Sequence, residues 1–176
     1  KIDFVKKVSA LKIGNPLDIS TNIGAVVSKQ HFEKVLSYID LAQKEGGKIL
    51  FGGKAVDLSN EIYEINTQTG IRRQKLCGWF IEPTIIENLP YDCRTNQEEI
   101  FGAVVTIQPF DSEKEVLEYA NSVEYGLSAT VWTENLTRAH RMAKQIESGI
   151  VWINCWLLRD LRTPFGGMKN SGVGRE

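Results

Sequence analysis

The sequence predicts an α/β fold built on a mainly parallel sheet, and three observations carry that prediction. From residue 104 onward, apolar β-branched runs alternate with segments of helical periodicity at a spacing that suits βαβ crossovers. Each predicted helix has its own start or stop signal, including Ser112 with Glu115 three residues on and a glycine pair at 46–47. The last apolar run, Ile150–Ile153, leads through Asn154 into a loop with glycines at 166, 167, 172 and 174. Long loops at the ends of parallel strands are where α/β proteins tend to place their chemistry.

In chain order, Phe4, Val5, Val8 and Leu11 have helical spacing over residues 2–12, and the turn Gly14-Asn15-Pro16 ends that helix. Residues 17–27 read as loop. A longer helix is predicted over Lys29–Glu45, capped by Ser28, with Phe32, Val35, Leu36, Ile39 and Ala42 on one face. Lys48–Phe51 reads as a short strand. Residues 54–78 are polar and weakly patterned, as in a surface insertion or hairpin. The stretch 78–87 looks like strand, with Pro83 forcing an edge or a break. Residues 88–103 read as loop. Strands are then expected at 104–108, 126–132 and 150–153, with a helix from the Ser112 cap and another over 135–147, the latter stopped by Gly149.

Bulk properties exclude several classes. With 176 residues, 42% hydrophobic and 24% charged, the chain has the balance of an ordinary globular protein. A net charge of −1 offers no footprint for nucleic acid or an anionic membrane, and no apolar run has the length of a span. Three cysteines, at 77, 93 and 155, have no framework spacing, which fits a reduced, cytoplasmic setting. No metal site is expected: His31 and His140 both fall inside amphipathic patterns and read as ordinary helix-surface residues. The opening residues look like the middle of a helix, so a piece of a longer chain is expected.

Two stretches could carry chemistry. Glu98-Glu99-Ile100-Phe101-Gly102 precedes a predicted parallel strand. A carboxylate there could accept hydrogen bonds from both hydroxyls of a ribose, and an aromatic edge could pack on a ring. The same residues also suit a solvated acidic turn followed by one core phenylalanine. Arg159 and Arg162, three apart on the last loop, could grip a carboxylate, or could pair with Asp160 and other surface acids. Neither Cys93 nor Cys155 has a base or helix N-terminus nearby in sequence to activate it. There is no phosphate-binding glycine motif of the dinucleotide or P-loop type, and no nucleophile elbow.

Taken together, Glu99-Ile-Phe-Gly, Tyr125-Gly-Leu-Ser-Ala, Ser148-Gly-Ile-Val-Trp-Ile-Asn154 and Pro164-Phe-Gly-Gly-Met-Lys-Asn-Ser-Gly-Val-Gly-Arg-Glu176 resemble the aldehyde dehydrogenase superfamily. The loop from Asn154 to Arg162 is similar to that of 2-aminomuconic and 2-hydroxymuconic semialdehyde dehydrogenases. The resemblance implies a three-layer α/β/α catalytic domain, of which residues 1–176 would be the C-terminal part and so an incomplete domain. It implies oxidation of an aldehyde through a cysteine thiolate, with hydride passing to NAD (NADP is left open) and a glutamate activating the hydrolytic water.

By the same resemblance, Glu99 would hold the nicotinamide ribose and Phe101 would pack beside that end of the cofactor. Asn154 would hold the active-site loop, and Phe165 would belong to the substrate tunnel. Arg159, with Arg162 as a second candidate, would bind a substrate carboxylate. No catalytic residue is expected in this chain: the nucleophile, the general base and the Rossmann domain would lie upstream. The parent would be a homo-oligomer, dimer or tetramer, acting on a small-molecule semialdehyde, and the chain alone would be inactive. A truncated assembly or regulatory module and an acylating relative are the alternatives. Where the family motif continues with proline, which would fix one φ angle, this chain has Ala103, so a somewhat looser cofactor loop is expected.

Overall fold

The computed structural model describes residues 1–68 and 70–175. Thr69, inside the 54–78 insertion, and Glu176, the end of the last motif, lie outside them. The fold is α/β with mixed sheets, and the chain divides into two compact units, residues 1–95 with 99–108, and residues 96–98 with 109–176.

In the first unit, α1 (Ile2–Ser9) is followed by α2 (Lys29–Lys44). The Ser28 hydroxyl accepts the His31 N–H at 3.1 Å and caps α2 as the sequence predicts. Gly46, at φ 92°, ends the helix in a conformation open to glycine. Then come β1 (Lys48–Phe51), β2 (Ala55–Val56), the hairpin strands β3 (Ile62–Thr67) and β4 (Gly70–Lys75), β5 (Phe80–Ile81) and β6 (Thr84–Glu87). After α3 (Arg94–Gln97), β7 (Val104–Ile107) completes a sheet of order β1-β6-β7. In that sheet β6 runs antiparallel to β1 and parallel to β7.

Pro83 breaks the predicted 78–87 strand. Before it, β5 pairs with β2; after it, β6 joins the three-stranded sheet. That second half is central rather than an edge, and all four of its residues are buried. A strand flanked on both sides by partners needs this unbroken apolar character. Val35, Ile39 and Ile81 form one core cluster, and Ala42, Ile86 and Leu89 a second. Ile85 and Ile86 are both fully buried; removing each such side chain from water contributes about 1.5 to 3 kcal/mol.

The helix α3 was not legible in the sequence, which reads as loop over 88–103. A remote side chain starts it: the Glu45 carboxylate accepts the Arg94 N–H at 3.0 Å, the Thr95 N–H at 3.2 Å and the Thr95 hydroxyl at 2.5 Å. Partial burial pushes the Glu45 carboxyl up. Hydrogen bonds from the Thr95 hydroxyl and amide, the Cys93 thiol and the Arg94 amide outweigh it, leaving the group below the usual glutamate range. A depressed folded pKa means stability present above the ordinary glutamate value and lost as pH falls through the folded one. Glu45→Gln is therefore expected to cost about 1 to 2 kcal/mol at neutral pH, the range for losing an N-cap. The gap from wild type should close in acid. Thermal melts across the carboxylate range check this, and a gap that persists unchanged in acid would refute it.

In the second unit, α4 (Glu113–Asn121) is capped by Ser112, which accepts the Glu115 N–H at 3.2 Å. The reciprocal arm of the predicted capping box reaches one residue further back, with Glu115 accepting the Asp111 N–H at 2.7 Å. The predicted 126–132 strand is divided into β8 (Tyr125–Gly126) and β9 (Ser128–Val131), because the two halves take different partners. After α5 (Leu136–Gln145), β10 (Ile150–Ile153) pairs in parallel with β9, giving one of the two βαβ crossovers expected from residue 104 onward; the other does not form among the described residues, because β7 takes β6 as its partner and β8 takes β11. The last strand, β11 (Met168–Lys169), lies antiparallel to β8. Gly149 is not the stop of α5, which already ends at Ile146 with an extended C-cap. Its role is steric and belongs to the loop described below.

Candidate functional site

The first candidate stretch, Glu99–Gly102, is held against α2 from below. Ile100 packs on the Val35, Ile39 and Ile81 cluster. Gly102 lies so close that a Cβ there would come within 2.8 Å of a Val35 methyl. Between these anchors Phe101 takes φ 59° and is 74% exposed. A positive φ at a bulky residue is a strained arrangement that the surroundings must enforce.

Two side chains of α2 do the enforcing. His31 Nε2 lies 2.6 Å from the Phe101 carbonyl oxygen, and the Lys34 ammonium donates to the Glu99 carbonyl at 2.9 Å. The His31 ring also meets the Phe101 ring edge-on, with centroids 6.0 Å apart. His31 is thus more than a helix-surface residue. The sequence offered only its spacing from Lys34, three residues on the same helix face, and nothing that tied either to position 101. The Glu99 carboxylate is exposed and makes no ion pair among the described residues. On the far side, the Ala103 carbonyl accepts the Thr84 N–H at 2.8 Å, so the loop is fixed where proline is absent.

The second stretch begins at Asn154, at φ 55°. Its amide makes a reciprocal pair with the Thr133 backbone, accepting the N–H at 2.8 Å and donating to the carbonyl at 2.8 Å. The side chain thereby extends the β9–β10 ladder by one rung and is fully used in holding the loop. Beyond it the chain folds back over Trp152, whose indole N–H donates to the Leu158 carbonyl at 2.8 Å and whose ring meets Trp156 at 5.1 Å. Trp156, Leu157, Leu158 and Leu161 are exposed.

The two arginines of this loop differ. Arg162 is engaged with Asp160 through Nε at 2.9 Å and Nη2 at 2.5 Å, the surface pairing the sequence left open. That guanidinium holds the Asp160 carboxyl below the usual aspartate range. Arg159 makes no ion pair among the described residues. Its guanidinium carbon sits 4.4 Å from the centroid of the Phe165 ring, a cation–π stack that orients the group and leaves its N–H edges available.

The glycines of the last motifs approach one another. A Cβ on Gly126 would collide with the Glu147 carbonyl, one on Gly149 with the Gly166 carbonyl, and one on Gly166 with the Gly174 carbonyl. Lys169 fastens the same region, donating to the Asn121 carbonyl at 2.7 Å and the Val123 carbonyl at 3.0 Å and pairing with Glu147 at 2.7 Å. The Ser171 hydroxyl accepts the Gly126 N–H at 3.0 Å. This glycine-rich stretch is framework that carries Arg159 and Phe165. Of the cysteines, Cys77 is exposed while Cys93 and Cys155 are half-buried, and none is in a disulfide.

No helix among the described residues is long and apolar enough to cross a membrane. Comparison with known proteins gives one consistent result. The chain is 49% identical over 173 residues to 2-aminomuconic semialdehyde dehydrogenase of Mus musculus, covering 98% of this chain and 33% of the relative. It is 46% identical over 178 residues to 2-hydroxymuconic semialdehyde dehydrogenase of Pseudomonas sp. (strain CF600), covering 99% and 34%. The NAD+ complex structure of aldehyde dehydrogenase from Bacillus cereus superposes with a TM-score of 0.84 at 38% identity, covering 99% of this chain and 32% of that one. The chain spans about a third of the length of these relatives. Residues 2–176 match the aldehyde dehydrogenase family throughout, and the chain belongs to that family.

Proposed function

We propose that this chain is the C-terminal part of the catalytic domain of an NAD-dependent enzyme that oxidises a carboxylate-bearing semialdehyde to the acid. One observation carries the substrate class: Arg159 is oriented by the Phe165 ring and makes no ion pair among the described residues, while its neighbour Arg162 is occupied by Asp160. A guanidinium held this way suits two-point recognition of a carboxylate. Arg162 stands as a secondary cation that shapes the loop through Asp160.

The loop around residue 100 fits a nicotinamide nucleotide. The Glu99 carboxylate is exposed and has acceptor capacity for two vicinal hydroxyls, and the Phe101 ring beside it is largely uncovered. A bound nicotinamide would supply the hydride acceptor, and Glu99 and Phe101 would hold and orient its ribose end. The nucleophilic cysteine, the general base and the rest of the cofactor site belong to chain outside these residues. The parent works in a reducing, cytoplasmic setting as a homo-oligomer, with NADP in place of NAD as the alternative cofactor.

The test is turnover of a matched pair, a semialdehyde bearing a carboxylate and a neutral aldehyde of equal length, by the full-length protein with NAD. Preferred oxidation of the first is expected, with no turnover by residues 1–176 alone. Activity only with added phosphate or coenzyme A would replace this reading with an acylating relative, and no turnover by the full-length protein would leave an assembly module.

A further inference from the structure

We propose that His31 and Lys34 are positioning residues for the cofactor loop, setting the direction in which Phe101 and Glu99 face. The inference rests on the reading of those two residues as the ones that meet the nicotinamide ribose.

Attachment of the loop does not require this pair. Ile100 already sits on the core cluster and Gly102 already packs on Val35. What those contacts leave unspecified is the rotation of the peptide groups that follow Glu99 and Phe101. That rotation decides whether Glu99 and Phe101 face solvent or lie along the surface. His31 and Lys34 each take one carbonyl of this segment, that of Phe101 and that of Glu99. With both carbonyls turned toward α2, Phe101 is carried into the positive-φ region and both side chains are turned outward. Residues three apart on a helix share a face, so one turn of α2 supplies both contacts.

The chemistry of each donor is specific. A carbonyl oxygen only accepts, so His31 Nε2 carries the proton in this contact, whichever charge state the ring adopts. Its backbone is fixed in turn, because its N–H is the one that Ser28 caps. The same ring stands edge-on to Phe101, so one side chain restrains both the peptide and the ring that follows it. Lys34 adds a charge-assisted bond, and its ammonium also lies 5.8 Å from the Tyr38 ring centroid. A chain of placement therefore runs from the Ser28 cap through His31 to the aromatic beside the cofactor.

The experiment measures the dissociation constant of NAD from the full-length protein without aldehyde, by quenching of tryptophan fluorescence. His31→Ala is expected to weaken NAD roughly 5- to 15-fold, the effect of losing one hydrogen bond. His31→Gln, which keeps a side-chain N–H donor, is expected to recover most of that loss. Turnover at saturating NAD should change less than the dissociation constant. Lys34→Ala gives a second, independent loss if His31→Ala fails to fold. Glu99→Gln separates the two levels of the argument. If Glu99→Gln weakens NAD while His31→Ala and Lys34→Ala do not, the positioning role is overturned and the cofactor reading stands. If Glu99→Gln leaves NAD binding unchanged, the cofactor reading fails and the proposal with it. Equal losses in His31→Ala and His31→Gln would also overturn the proposal, since the donor would then not matter.

Discussion

Replacing Arg159 with alanine in the full-length protein is expected to lower kcat/KM for carboxylate-bearing semialdehydes by roughly 30- to 900-fold. This corresponds to about 2 to 4 kcal/mol for one charge-assisted contact that binds an otherwise unpaired charge. On the proposed reading the loss should fall mainly on KM, as for a carboxylate remote from the reacting carbon and held equally before and during reaction. A neutral aldehyde of the same length should be oxidised almost as before. Arg159→Lys should recover only part of the loss, since an ammonium offers neither the planar fork nor the same stacking on Phe165. Steady-state kinetics on the matched pair decide the matter: an equal drop for both substrates would mean that Arg159 shapes the loop and does not read the charge.

Gly149→Ala is expected to have the largest effect on stability. The added methyl would run into the Gly166 carbonyl, which is backbone and belongs to a segment that is itself packed against the Gly174 carbonyl. Neither side can yield by a rotamer change. The cost belongs at or above the upper end of the overpacking range, about 3 kcal/mol, and for a unit of this size it would lower Tm by roughly 12 to 24 °C or more. Gly174→Ala is the matched control. A Cβ at that position meets nothing within 4 Å, so its effect should stay within about 0.5 kcal/mol. Similar melting temperatures for the two variants would remove the steric argument.

Much of this was legible in the sequence where the governing interaction is local. Ser28 and Ser112 cap helices within three residues of themselves, and both caps are present. The break at Pro83 is also local, following from the missing N–H. What escaped was set by partners far along the chain. The helix α3 depends on Glu45, about 50 residues away. The single strand read across 126–132 is divided because Gly126 pairs with Met168 while Ser128 pairs with Ile150. In the candidate site, Glu99, Phe101 and Arg159 could be named from their motifs, but their presentation could not. The contact from His31 to Phe101 joins residues 70 apart, and no periodicity encodes it. The choice of partner between Arg159 and Arg162 likewise rested on geometry. Asp160 is near both in sequence, and only the loop conformation assigns it to Arg162.

The β3–β4 hairpin has a consequence for how this chain can vary. Among the described residues its strands pair only with each other, and the Leu76 N–H to Glu61 carbonyl bond at 2.8 Å closes its base. The sheets on either side are therefore complete without it. Lengthening or shortening a connection changes closure entropy only logarithmically, about 0.6 kcal/mol per doubling. The hairpin itself, from β3 to β4, is in that sense modular, whereas Leu76 after it is buried. It can be trimmed, extended or made to carry a graft at little thermodynamic expense, and its sequence is free to drift at a different pace from the loops around residues 100 and 159.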